Sequence, residues 1–82
     1  MILTLYVNDP MGVRCRMNLE SAKKVLAEYP VELRIVKNGS EEYKNEENPP
    51  PCPSIKLDER VIKEYGVMSP EQITEELLHS LY

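Results

Sequence analysis

Apolar and polar positions alternate and repeat along this chain in a way that marks out most of its elements. Residues 1–8, MILTLYVN, are rich in β-formers and apolar on both alternating faces, the pattern of a central strand covered on each side. Asp9, Pro10 and Gly12 then punctuate a loop. Over residues 13–29, Cys15, Leu19, Ala22, Leu26 and Tyr29 fall on one helical stripe, with Glu20, Lys23, Lys24 and Glu28 on the wet side. Pro30 stops that helix, and Val31, Leu33 and Ile35 alternate with Glu32 and Arg34 as a second strand over residues 31–37. A strand, a helix and a strand of these lengths make a βαβ unit, which crosses over right-handedly and pairs its strands in parallel.

The second half is punctuated differently. Asn38-Gly39 ends the strand, and residues 40–48, SEEYKNEEN, are acidic and weakly patterned, a connector with no element assigned. The run PPPCP at residues 49–53 leads into two short strands, residues 54–58 and 61–66, joined by a tight turn around Asp58, Glu59 and Arg60. Ser69, Pro70, Glu71 and Gln72 spell a helix start, with Ser69 and Gln72 forming a capping box, and Ile73, Leu77, Leu78 and Leu81 give that last helix its buried stripe. The expected fold class is α/β, with an order β-α-β-β-β-α, one four-stranded mixed sheet with helix cover, in a single domain spanning residues 1–82.

Composition narrows the functions. At 82 residues the chain is near the lower limit for a self-sufficient core. A net charge of −4 with no basic stripe argues against nucleic acid as a partner. No apolar run reaches the roughly 20 residues of a membrane span, and no signal peptide opens the chain, so a cytoplasmic location without membrane association is expected. Two cysteines are too few for a disulfide scaffold or a structural zinc site, and the pattern calls for neither metal nor cofactor. His79 has no partner at ligand spacing and suits the C-terminal end of its helix. The four glutamates of the connector lack the spacing of a calcium loop.

The chemistry therefore gathers around the cysteines. After the first strand stands Gly12-Val13-Arg14-Cys15-Arg16-Met17, and Cys52-Pro53 immediately precedes the hairpin. In this order the chain resembles the minimal thioredoxin-like fold of glutaredoxin-sized proteins along essentially its whole length. Cys15, Arg16 and Met17 fit the second half of that family's Cys-x-x-Cys motif, while Gly12 occupies the place of the first cysteine. Pro53 fits the family's cis-proline, so the resemblance implies a cis peptide between Cys52 and Pro53. It also implies that Cys52 lies beside the start of the first helix, near Cys15, and that the surface around Met11, Gly12, Val13, Arg14, Cys52 and Pro53 receives a partner.

The departure at Gly12 matters because the thiolate is the nucleophile and glycine supplies none. Two readings of Cys15 stand: a small hydrophobe on the helix stripe, or one half of a non-standard redox pair with Cys52 acting on a protein or a low-molecular-weight thiol or disulfide. In the second reading Cys52, at a loop end and partly exposed, can also be the attacking thiol, with Arg14 and Arg16 favouring its thiolate. The rival function is a binding module in which the scaffold persists and the redox site is lost. Met17 is expected to fill a gap in the core.

Overall fold

The computed structural model describes residues 1–81 and holds seven elements: β1 (Ile2–Val7), α1 (Val13–Leu26), β2 (Glu32–Lys37), α2 (Glu41–Asn45), β3 (Ser54–Leu57), β4 (Arg60–Lys63) and α3 (Pro70–Leu81). The strands form one mixed sheet in the order β2-β1-β3-β4. β1 runs parallel to β2, Leu3 opposite Leu33 and Leu5 opposite Ile35, as a helical crossover requires. β3 runs antiparallel to β1, with Leu5 opposite Ile55, and β4 antiparallel to β3 with an irregularity between Ile55 and Lys56. The α/β class and four-stranded mixed sheet expected from the pattern are thus present.

Both faces of β1 are buried, for the reason its sequence advertises. Leu3, Leu5 and Val7 point toward α1 and α3 and join Ala22, Val25, Ile55, Ile73 and Leu77 in the main core. Tyr6 points the other way, into a smaller cluster with Val36 and Cys52 that Tyr43 of α2 covers. The short helix α2 was not expected from the acidic connector. It forms because the Ser40 hydroxyl caps it, accepting from the Tyr43 amide at 3.1 Å, because Glu41 and Glu42 sit at its positive end, and because Tyr43 has an apolar surface to pack on.

Helix α1 starts at Gly12, which supplies no side-chain cap, and it ends at Leu26, short of the expected Tyr29. Its fully buried positions are Cys15, Asn18, Ser21, Ala22 and Val25, while Leu19, Leu26 and Tyr29 are only partly covered. The buried stripe is therefore rotated from the one the apolar residues alone suggest, because the polar Asn18 finds partners inside. Its Nδ2 donates to the Gly66 carbonyl at 3.0 Å and its Oδ1 accepts from the Met68 amide at 3.0 Å. One side chain thereby ties α1 to the segment between β4 and α3.

Other expectations need correction. Met17 is half exposed rather than a core filler, because the rotated stripe turns it outward. Ile35 is exposed on the edge strand β2, beyond the part of that face that α1 covers, and the buried residue at that end is Val36 on the opposite side. The capping box at α3 forms as expected, the Ser69 amide donating to Gln72 Oε1 at 2.9 Å and the Gln72 amide to Ser69 Oγ at 3.2 Å. Ile73 and Leu77 are buried and Leu78 half-buried, but Leu81 projects past the core and is exposed. β4 stops at Lys63, and Glu64 to Gly66 form a bend that stays tied to the start of β3. No helix of the described residues is long and apolar enough to cross a membrane.

Candidate functional site

The site is built around the end of β1. Asn8, which follows that strand, donates its backbone amide to Cys15 Sγ at 3.3 Å, with its side-chain Nδ2 at 3.9 Å from the same sulfur. Cys15 lies in the first turn of α1, fully buried in the helix-side core. On the other side of the sheet, Cys52 sits two residues before Ser54, the β3 residue that pairs with Tyr6 near the end of β1. Both cysteines thus flank the same end of the same strand, one on each face. They are free thiols, not joined to one another.

The Cys52–Pro53 peptide bond is cis, and so is Asp9–Pro10 in the loop that leads to Gly12. Pro53 is buried, and hydrogen bonds hold its segment in place. The Ser54 hydroxyl donates to the Pro51 carbonyl and accepts from the Tyr65 amide at 2.9 Å, and the Gly66 amide donates to the Pro53 carbonyl at 2.9 Å. Bonds from residues 65 and 66 therefore fix the chain on which Cys52 rides.

Cys52 is 8% exposed, where a partly exposed loop end was expected. Burial pushes its thiol above the ordinary cysteine value, and the charge of a Cys15 thiolate pushes it the same way. A hydrogen bond from the Tyr43 hydroxyl works in the opposite direction. The hydroxyl has one proton, however, and donates it to the Pro50 carbonyl at 2.8 Å, so it cannot serve both acceptors at once. The arginines do not take the expected role. Arg14 stacks over the ring of Tyr65, its guanidinium carbon 4.5 Å from the centroid, and Arg16 is exposed along the groove beside Met17.

The remaining site residues expected from the sequence separate. Met11 is half-buried against the helix-side core, and Gly12, Val13 and Arg14 are exposed at the start of α1. Val13 and Met17 line an open groove of about 620 Å³ with Arg16, Val67, Met68 and Pro70. Gly12, Val13 and Arg14 are thus surface positions at the start of α1, whereas Cys52 and Pro53 are buried.

A second cluster was missed in the sequence. On the Cys52 face, Tyr6 donates its hydroxyl to Glu46 Oε1 at 2.6 Å, and Lys56 Nζ lies 3.6 Å from the same oxygen. Glu46 Oε2 is buried without a partner. Burial, then the hydrogen bond to the carboxylate, drive the Tyr6 hydroxyl well above its ordinary value. Arg34 of β2 pairs with Glu42 of α2 nearby. These residues are 8 to 40 positions apart in sequence, with no local spacing to announce them. Among the described residues no cluster of three His, Cys, Asp or Glu side chains could hold a metal ion. No protein family, curated protein or solved structure matches this chain.

Proposed function

We propose that this chain is a thioredoxin-like domain acting in thiol–disulfide exchange through Cys15 and Cys52. What supports the fold reading is the strand order β2-β1-β3-β4 with a parallel β1–β2 pair, α1 and α3 on one face, and a cis-proline at residue 53 immediately before β3. The observation that carries the chemical reading is the pair of free thiols flanking the end of β1, one on each face of the sheet.

The roles follow from exposure. Cys52, the less buried of the two, attacks a partner disulfide as its thiolate; the S–S bond breaks and one partner thiolate leaves and takes up a proton. Cys15, in the first turn of α1, then attacks the Cys52 sulfur and releases the second partner thiol. The Cys15–Cys52 disulfide forms, two electrons pass to the partner, and the protons of both cysteines go to the released thiols. The raised pKa of Cys52 keeps its thiolate scarce at neutral pH, so exchange is slow there and quickens in alkali.

The test is a thiol count on native protein across a glutathione redox series, with peptide mapping under non-reducing conditions. A Cys15–Cys52 disulfide that forms and is reduced reversibly is the expected result, abolished by Cys15→Ser or Cys52→Ser. Two thiols that stay free throughout would refute it. The groove beside α1 favours a second reading, a module that binds a partner without redox chemistry: Val13 is 66% and Met17 50% exposed on its rim. In that case both serine variants leave partner binding intact.

A further inference from the structure

Cys52 is covered by a part of the chain that is fastened to the sheet chiefly by polar ties. Residues 40–51 leave the end of β2, form α2, and return as the proline run to Cys52. Tyr43 is the one side chain of α2 that packs on the cluster of Tyr6, Val36 and Cys52, its ring meeting that of Tyr6 edge-on at 6.3 Å. No residue of α2 is fully buried. The other ties are polar: the Ser40 amide to the Lys37 carbonyl and Arg34 to Glu42 near one end, Tyr6 and Lys56 to Glu46 further on, and the Ser54 hydroxyl to the Pro51 carbonyl where the segment rejoins the sheet.

We propose that residues 40–51 form a gate over Cys52, latched by the Tyr6–Glu46 and Arg34–Glu42 contacts and opening while the rest of the sheet stays folded. Three physical features favour opening here over elsewhere. A five-residue helix has no stability of its own and depends on its packing. Glu46 keeps one oxygen dry and unpartnered when the latch is closed, and opening returns that oxygen to water. Arg34 and Glu42 have side chains 42% and 48% exposed, so their attraction is weak and screened by salt. Opening moves Tyr43 off Cys52 and removes its cover, whereas Cys15 belongs to the helix-side core and is untouched. The gate's purpose, regulating access to the attacking thiol, rests on the exchange reading above; its geometry does not.

Alkylation of each cysteine, followed by mass spectrometry with iodoacetamide and with a bulky polyethylene-glycol maleimide, tests the gate without any redox partner. Tyr6→Phe keeps the ring and removes the hydroxyl donated to Glu46. It should speed alkylation of Cys52 about tenfold or more, as loss of a hydrogen bond to a charged acceptor shifts a local opening equilibrium. Glu42→Gln, and salt raised to about 1 M in the unaltered protein, should speed it more modestly. Cys15 should keep its original rate throughout. Unchanged Cys52 rates in both variants would overturn the gate, as would a parallel rise at Cys15, which marks global unfolding. If Cys52 opens as described yet no Cys15–Cys52 disulfide ever forms, the exchange reading falls and the gate stands. A disulfide that forms equally fast with and without the latch overturns the gate and leaves the exchange reading standing.

Discussion

Replacing Asn18 should destabilise the protein more than its polar character on a helix would suggest. Asn18 is 1% exposed and satisfies two backbone groups of the segment between β4 and α3, the Gly66 carbonyl and the Met68 amide, each at 3.0 Å. Asn18→Ala removes both partners. The Met68 amide is left inside, since Met68 is itself buried, at a cost of about 1–3 kcal/mol for an unsatisfied buried donor. The Gly66 carbonyl is half-buried and can recover water, so its loss lies at the low end, about 1 kcal/mol. The sum is about 2–4 kcal/mol, a large share of the roughly 5–15 kcal/mol that holds an ordinary domain together. For a chain of this length it lowers the melting temperature by about 10–25 °C. Urea unfolding followed by circular dichroism measures it, with Asn18→Leu as the companion: leucine restores the volume but not the bonds, so it should be nearly as unstable as alanine. A leucine variant as stable as the parent, or an alanine variant within about 0.5 kcal/mol of it, would refute the argument, since surface-like effects are of that size.

Titration and helix capping supply further tests. The Cys52 thiol is raised above its ordinary value of 9.0, so its alkylation rate should keep climbing, about tenfold per pH unit, beyond the pH at which a free cysteine levels off; a plateau at or below that of a model thiol would contradict it. The same shift has a sign for stability. Above the ordinary thiol value the unfolded chain ionises Cys52 while the folded chain resists, and Tyr6 and Tyr43 behave alike from their ordinary value of 10.0 upward. Unfolding free energy measured from neutral pH into this alkaline range should therefore fall, and Cys52→Ser should remove the earliest part of the decline; a flat profile over the thiol range would exclude it. Ser69→Ala removes the acceptor of the Gln72 amide at the start of α3 and should cost about 1 kcal/mol by urea unfolding. Ser80→Ala near the helix end should cost almost nothing, because that hydroxyl back-bonds to the Glu76 carbonyl and meets Arg60 on an exposed surface.

Elements with strong local signals were legible in the chain alone. The double-faced apolar run of β1, the capping box of Ser69 and Gln72, and the β-hairpin after the prolines each depend on neighbours within a few positions, and the described structure contains all three. Cys15 and Cys52 also stood out as the chemistry-bearing residues, but what those residues experience came from packing. Asn18 is buried because Gly66 and Met68, some 50 positions away, supply its partners, and that rotates α1 so that Met17 faces outward. α2 forms because Tyr43 finds the surface of Val36 and of Tyr6, the latter on a strand at the other end of the βαβ unit. Cys52, expected to be partly exposed, is covered for the same reason, and its thiol is pushed up by burial rather than eased down by the arginines beside Cys15. Periodicity reports which residues seek the interior, but burial, pKa and partners depend on distances between segments that fold together from far apart in sequence.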